Sequence, residues 1–287
     1  MNSLFKHFAG QISGLEPLSD NASPFPELTL WENAPKGLTC FYAPFEHVNP
    51  AAKLIVIGIT PGHTQMNRAL TAAAQAIRNG RSVDDAVAEV KKHGSLSGAM
   101  RPNIVRTLDK LGYPRKLGIG SSVELWDESF HLVHFCSLLK YPVFLKGKDY
   151  NGTPNPFKVP ELRRLLLDGF AKDLQALPGD AELVPLGDFV AGVLSKLDDM
   201  GLVPQKVFRY EGSVVAPPHP SGANAEAVAL LLSDVYPESE AYQETMYRAY
   251  LQKCKNGNPQ PEAKYKAARK LRWERMKLVR RAYGIDA

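Results

Sequence analysis

The sequence predicts an α/β fold in which helices cover both faces of a parallel sheet. Four short apolar segments have the character of buried strands, and they span residues 53–59, 130–139, 183–187 and 213–219. Segments with helical periodicity separate these four along the chain. Strands that alternate with helices pair in parallel, and the connecting helices then cover the two faces of the sheet.

The helices are predicted from the segments that lie between and around these strands. A short helix near 3–13 is followed, up to residue 50, by a segment rich in proline and aromatic side chains without a clear period. Ser82 with Asp85 three residues later resembles a capping box and marks the start of one helix. Further helices are predicted over residues 64–79, 83–93, 101–111, 161–175, 188–197, 223–233, 238–254 and 262–282. Residues 140–160 form a loop whose length suggests function or disorder.

The composition is typical of a soluble globular protein. Of the 287 residues, 44% are hydrophobic and 23% are charged, and the apolar runs are far shorter than the ~20 residues that span a bilayer. Three widely spaced cysteines argue against a disulfide framework, a zinc knuckle and a four-cysteine iron–sulfur cluster. We therefore expect a cytoplasmic monomer that does not enter a membrane and uses neither a metal nor an organic cofactor.

The positive charge of the chain is concentrated near its C-terminus. Residues 264–281 contain nine lysines or arginines and one acid, whereas the rest of the chain has a net charge of −3. We therefore predict an α/β domain over 1–235, with an N-terminal segment over 1–50, and a basic helical extension over 236–287. A general basic character of the chain is thus no argument for nucleic acid.

The basic extension itself has two interpretations. Its lysines and arginines surround most of a helix, with Tyr265 and Trp273 interleaved, which suits contact with DNA phosphates. A solvated helix packed through Leu271 and Leu278 would show the same pattern. We favour the contact with DNA because the remainder of the chain is acidic.

Two motifs directly follow predicted strands. The first is Gly58-Ile59-Thr60-Pro61-Gly62-His63, and the second is His219-Pro220-Ser221-Gly222-Ala223-Asn224. Sites in parallel sheets form at the carboxyl ends of the strands. We therefore expect the two turns to lie at one edge of the sheet and to face each other.

Together, these motifs resemble the two catalytic loops of the uracil-DNA glycosylase superfamily. The segments SLSGAMRPNIVRTLDKL, FHLVHFCSLLKYP and LVPLGDFVAGVL, at 95–111, 130–142 and 183–194, resemble its phosphate-contacting loop, its base-reading strand and its strand-to-helix turn. The resemblance covers roughly residues 40–235. It implies a three-layer α/β/α sandwich around a four-stranded parallel sheet. It also implies that a base is flipped out of double-stranded DNA and excised, leaving an abasic site.

The resemblance also implies roles for individual residues. Thr60 and His63 would handle water and the sugar, and His219 would stabilise the departing base. Asp127 is a further catalytic candidate, although a helix cap or a surface aspartate would look the same. The residues expected to contact the base are Gly62, His134, Phe135 and Ser137. Those expected to bind DNA are Ser95, Ser97, Arg101, Ser221, Gly222, Ala223, Asn224, Arg269, Lys270 and Arg272.

Three departures from the superfamily pattern concern chemistry and substrate. Thr60 stands where relatives carry Asp or Asn, and a hydroxyl cannot take a proton as a carboxylate can. Gly62 stands where strict uracil enzymes carry a Tyr, so that the side of the pocket facing base carbon five is expected to be open. The base-reading strand lacks the Asn that selects uracil, and Ser137 or His134 falls there instead. We therefore expect uracil not to be the main substrate.

An open pocket and a long polar loop resemble the anti-phage branch of the superfamily, which excises glucosylated 5-hydroxymethylcytosine from phage DNA. Three alternatives stay open at this point. The protein is a repair glycosylase for uracil or mispaired bases, an inactive DNA-binding module, or a hydrolase of free nucleosides or nucleotides. The basic helix disfavours the last of these, since a small substrate needs no such surface.

Overall fold

The structure is a computed structural model, and it describes most of the chain. The described residues are 3–20, 22–233 and 261–285, together with 244, 247, 248, 250–252 and 254. Most of the helix predicted over 238–254 therefore lies outside the described residues.

A parallel sheet of three strands forms the centre of the fold. Its strands are β3 (Leu54–Gly58), β4 (Val133–Ser137) and β7 (Glu182–Pro185), in the order β4-β3-β7. All five residues of β3 are buried, as expected for the middle strand of a sheet that is covered on both faces.

The prediction of a fourth parallel strand over 213–219 is wrong. In this segment Ser213–Val214, named β9, pairs antiparallel with β8 (Arg209–Tyr210) in a small hairpin. Gly187 N donates to Pro217 O at 2.9 Å, so the chain does run beside the end of β7. A longer ladder is prevented because the consecutive prolines at 217 and 218 have no amide proton to donate.

A second, antiparallel sheet lies within segments that were predicted to be irregular. Its strands are β1 (Thr29–Asn33), β2 (Leu38–Phe41), β5 (Val143–Leu145) and β6 (Lys148–Asp149), in the order β1-β2-β5-β6. The first two belong to the N-terminal 50 residues, and the last two to the long loop over 140–160. These strands are too short for an alternation of polar and apolar residues to be recognised in the sequence.

The helices follow the predicted pattern more closely. They are α1 (Ser3–Ser13), α2 (His63–Arg78), α3 (Val83–Gly94), α4 (Arg101–Lys110), α5 (Tyr113–Leu117), α6 (Pro160–Arg164), α7 (Lys172–Leu174), α8 (Asp188–Asp199), α9 (Ala225–Leu232) and α10 (Glu262–Ala282). A π-helical segment, Leu165–Ala171, joins α6 to α7, so the single helix predicted over 161–175 is interrupted. The predicted cap at Ser82 is confirmed, since its hydroxyl accepts the amide proton of Asp85.

Alternate residues of β3 point into two different cores. Ile55 and Ile57 pack with α6, α7 and α8, whereas Leu54 and Val56 pack with α4, α9 and α10. A third core joins α1, α2 and α3 to the antiparallel sheet. The expectation that helices cover both faces of a parallel sheet is thus confirmed.

The basic helix α10 is part of the core that covers one face of the sheet. Met276 and Val279 are buried there beside α9. The guanidinium of Arg280 is buried and donates to the carbonyl oxygens of Leu231 and Ser233 at 2.9 and 2.6 Å. The division of the chain near residue 235 stays a prediction. Among the described residues, no helix is long and apolar enough to cross a membrane.

Candidate active site

A pocket lies at the carboxyl ends of β3 and β4. The first motif contributes Gly58, Thr60 and Pro61 to its lining, β4 contributes Phe135 and Ser137, and the second motif contributes His219. The space within these walls is about 580 Å³, including the part that is open to solvent. Two segments that are more than 150 residues apart in the chain therefore meet at one site.

Thr60 lines the pocket, but its hydroxyl group is already engaged. Its Oγ1 donates to Tyr141 O at 2.9 Å and accepts the amide proton of Val143 at 3.1 Å. A hydroxyl has a single proton to donate, and here that proton is committed to a backbone carbonyl. Thr60 therefore ties the turn after β3 to the start of β5, and the arrangement argues against the water-activating role expected for it.

Gly62 and His63 directly follow Pro61 of the pocket but do not line it, and both lie close to Asp149 of β6. Asp149 Oδ1 accepts from His63 N at 3.1 Å and lies 2.6 Å from His63 Nδ1. A Cβ added to Gly62 would lie 2.9 Å from Asp149 Cγ and closer still to Oδ2. The small size of Gly62 thus admits a carboxylate of the same chain, and the interpretation of Gly62 as an opening for a larger base stays a prediction.

His219 is held in one tautomer by the turn that follows it. Its Nδ1 accepts the amide proton of Ser221 at 3.3 Å, so the ring proton is on Nε2 while the ring is neutral. Burial lowers the pKa of His219, which favours the neutral form. Gly187 allows this close packing, because a Cβ there would lie 3.1 Å from His219 Cβ.

The predicted base-reading strand contributes two of its three expected residues. Phe135 and Ser137 line the pocket, and the Phe135 ring stacks on Trp126 at 4.4 Å. His134 does not line it. Its buried ring accepts the amide proton of Asn49 at 3.3 Å. The structure therefore does not bring His134 to the pocket, and its ring holds the segment before β3.

Of the residues outside α10 that are predicted to bind DNA, Ser95 lines the pocket and the others do not. Ser95 lines it, whereas Ser97 is buried beside it with its hydroxyl unpartnered among the described residues. Arg101 packs over the Trp126 ring at 5.3 Å. In the second motif, Asn224 Nδ2 donates to Ser221 Oγ at 3.2 Å, and this pair holds the exposed turn of Gly222 and Ala223.

Three predicted residues lie away from the pocket and are paired with opposite charges. Asp127 is an exposed carboxylate 2.8 Å from Lys92 Nζ, and the structure does not bring it to the pocket. Arg269 and Arg272 of α10 both pair with Glu226 of α9. These two arginines therefore hold α10 against α9. Of the three α10 residues predicted to bind DNA, Lys270 and Arg272 are exposed and Arg269 is half-buried.

The pocket also contains charged residues that sequence reasoning missed. Lys91, Lys140 and Asp173 all line it. Lys91 is buried, its Nζ donates to the carbonyl oxygens of Phe45 and His47 at 3.2 and 2.8 Å, and burial lowers its pKa to about 8. Lys140 lies three residues after the end of β4, and a charged residue so close to a strand end could have been recognised in the sequence as a candidate site residue. No feature of the sequence marked Asp173 as a site residue, because it lies in an ordinary amphipathic segment.

In the part of the chain that the structure describes, no cluster of three or more His, Cys, Asp or Glu side chains could hold a metal ion.

The fold and the pocket define a mixed α/β protein with a polar site at the carboxyl ends of its parallel strands. Over 189 residues the chain is 35% identical to the protein named "Uncharacterized protein YoxB" from Bacillus subtilis (strain 168), covering 65% of this chain and 72% of YoxB. The chain therefore belongs to the same family as YoxB. No described family profile matches it, and no solved structure matches it.

Proposed function

We propose that the protein is a DNA glycosylase of the uracil-DNA glycosylase superfamily. It would hydrolyse the bond between a base and its deoxyribose and leave an abasic site. One observation carries the proposal: the turn after β3 and the turn before α9, which resemble the two catalytic loops of that superfamily, line the same pocket. A flipped base needs such a pocket, because its glycosidic bond cannot be reached inside a duplex.

His219 supplies the chemistry of the leaving group in this proposal. When the glycosidic bond breaks, the base takes the bonding electrons and becomes negatively charged. A donor held in place before the reaction stabilises that charge without reorganisation. The Nε2–H of His219 is such a donor, because the Ser221 amide fixes the tautomer and burial favours the neutral ring.

We assign the activation of water to His63, which lies two residues after the pocket residue Pro61, rather than to Thr60. The Thr60 proton is committed to Tyr141 O, whereas the His63 ring is fixed by Asp149 at Nδ1 and keeps Nε2 to accept a proton. A base oriented by a carboxylate is a recurrent arrangement in general-base catalysis. Water would attack the sugar carbon as the base departs, and its proton would pass to His63.

The substrate that we propose is a modified or mispaired pyrimidine. The Asp149 carboxylate fills the space beside Gly62, which removes one reason to expect a larger base. The predicted base-reading strand, residues 130–142, contains no Asn, which still disfavours uracil. Glucosylated 5-hydroxymethylcytosine, and with it a role in defence against phage, belongs to the substrates to be tested.

A hydrolase of free nucleosides or nucleotides is a second candidate, and one observation favours it. Arg269, Arg272 and Arg275 of α10 are paired with Glu226 and Asp188. The helix therefore offers fewer unpaired cations to DNA phosphates than its sequence suggests.

The decisive experiment supplies the purified protein with end-labelled duplexes and with free nucleosides. The duplexes carry uracil, a thymine mispair, 5-hydroxymethylcytosine or its glucosylated form, and abasic sites are detected by alkaline strand cleavage. We expect cleavage of at least one duplex. Hydrolysis of nucleosides alone would support the second candidate, and no hydrolysis of any substrate would reject both.

His219→Ala is the matched test of mechanism. Loss of a preorganised donor of this kind lowers turnover by about 100-fold or more. His93→Ala is the control, because His93 is a surface histidine paired with Glu89 at 2.9 Å and lies outside the pocket. Unchanged activity in His219→Ala would remove the role assigned to that ring.

A further inference from the structure

The pocket contains an ion pair that the proposed chemistry does not use. Lys140 lies three residues after β4, Asp173 lies in α7, and both line the pocket. Lys140 Nζ lies 2.9 Å from Asp173 Oδ1 and 2.6 Å from Oδ2. The side chains are 17% and 24% exposed, so both remain accessible from the pocket.

Each member of this pair keeps hydrogen-bonding capacity for a ligand. An ammonium group has three protons to donate, and a carboxylate has about four positions at which it accepts. The two contacts between Lys140 and Asp173 use at most two of each. The pair therefore presents a donor and an acceptor side by side.

The neighbouring Lys91 shows how a purely structural lysine differs from Lys140. Lys91 Nζ is buried and bonds to two backbone carbonyls. Lys140 and Asp173 also line the pocket, but their charged groups bond to each other and stay partly exposed. Joining β4 to α7 does not require this, because well-packed apolar side chains stabilise such a contact at least as well as a partly buried ion pair.

We propose that Lys140 and Asp173 are specificity-determining residues that read positions 3 and 4 of a pyrimidine. The inference rests on the proposed function in taking the pocket as the site of a base. A 4-oxo pyrimidine such as uracil has an acceptor at position 4 and a donor at position 3, whereas a 4-amino pyrimidine such as cytosine has the reverse order. If the lysine always faces one of these positions and the aspartate the other, the pair forms both hydrogen bonds with only one class of pyrimidine. Against the other class, the polar groups of the pair and of the base stay unpaired.

The test measures the affinities of free uracil and free cytosine by titration calorimetry, which requires no catalysis. The variant that combines Lys140→Asp with Asp173→Lys keeps the ion pair and reverses the order of donor and acceptor. We expect the ratio of the two affinities to invert, with a change of about tenfold or more, as one unmatched hydrogen bond to a charged group implies.

The control variant exchanges an ion pair elsewhere on the molecule. Lys116 and Glu182 lie 2.7 Å apart at the surface and outside the pocket, so Lys116→Glu with Glu182→Lys should leave the affinity ratio unchanged. If the variant with the exchanged Lys140 and Asp173 does not fold, Asp173→Asn replaces it in the test. Its amide both donates and accepts, so the ratio should approach one.

An affinity ratio that stays at the wild-type value in the variants of Asp173 would overturn the inference. So would a wild-type protein that binds neither base. An inverted affinity ratio without glycosylase activity would reject the proposed reaction but support base recognition by Lys140 and Asp173. Glycosylase activity on duplexes together with an unchanged affinity ratio in the variants would reject only base recognition by Lys140 and Asp173.

Discussion

Gly62→Ala tests whether the contact between His63 and Asp149 matters for activity. The backbone of Gly62, at φ −88° and ψ −173°, is one that alanine adopts without strain. The new Cβ would lie 2.9 Å from Asp149 Cγ, so the carboxylate must move away from the His63 ring. Asp149 is 59% exposed and can move into solvent. We therefore expect the free energy of unfolding to change by less than about 1 kcal/mol.

The effect on turnover should be larger than the effect on stability. A catalytic group that is displaced by about 1 Å loses up to roughly 100-fold in rate. We expect a loss of about 10- to 100-fold in cleavage of the best duplex substrate. The proton NMR signal of His63 Nδ1–H, which the bond to Asp149 moves downfield in the wild type, should shift upfield or disappear.

Gly192→Ala is the control for the glycine substitution itself. Gly192 lies within α8 with open space around its Cα, so alanine there should stabilise the helix by about 0.5–1 kcal/mol and leave turnover unchanged. Full activity of Gly62→Ala, with the Nδ1–H signal lost, would refute the reasoning. Asp149→Asn should reproduce the loss of activity. If it does not, the effect of alanine comes from Gln65, whose side chain also contacts this site.

Three further predictions concern stability, pH and the basic helix. Thr60→Val should lower the free energy of unfolding by about 2 kcal/mol or more in urea titrations, because two backbone groups lose their partner, whereas Thr60→Ser should keep both stability and activity. Burial lowers the pKa of Lys91 from 10.5 to about 8. Between pH 8 and 10.5 the unfolded chain therefore binds more protons than the folded protein, and the free energy of unfolding rises with pH. The rise over this interval is about 3 kcal/mol. Lys91→Met should abolish that rise, and an equal slope in both proteins would contradict the assignment. Glu226→Gln should lower the melting temperature and leave DNA affinity equal or higher in salt titrations, because Arg269 and Arg272 are released. A lower affinity would show that these arginines already bind DNA in their paired state.

The central architecture could be predicted from the sequence because β3 and its neighbours are continuous apolar segments. Residues such as Leu54 and Ile55 are buried on opposite faces, and a buried parallel strand shows this as an unbroken run. The predicted starts of α3 and α10 agree with the structure because a serine cap and a long basic segment mark them. The antiparallel sheet was missed because strands of two to five residues give no period, and its pairing is decided by contacts distant in sequence.

The meeting of the turns at Thr60 and His219 in one pocket could be predicted, because each turn directly follows a predicted strand. The sequence could not show that Asp149 would occupy the space beside Gly62, because 87 residues separate the two. Lys140 and Asp173 form a pair that only packing brings together. In each case, the residue type was visible in the sequence, and its partner was determined by the tertiary fold.

The hydrogen bond from Val143 N to Thr60 Oγ1 makes one backbone proton a reporter of the pocket. That amide is protected by a side chain of the turn after β3, so it exchanges with deuterated solvent when this turn separates from β5. The amide of Phe41, which donates to Pro142 O at 3.0 Å between the neighbouring strands, provides an internal reference for opening of the sheet. The ratio of the two exchange rates would measure how often the mouth of the pocket opens while the sheet stays intact.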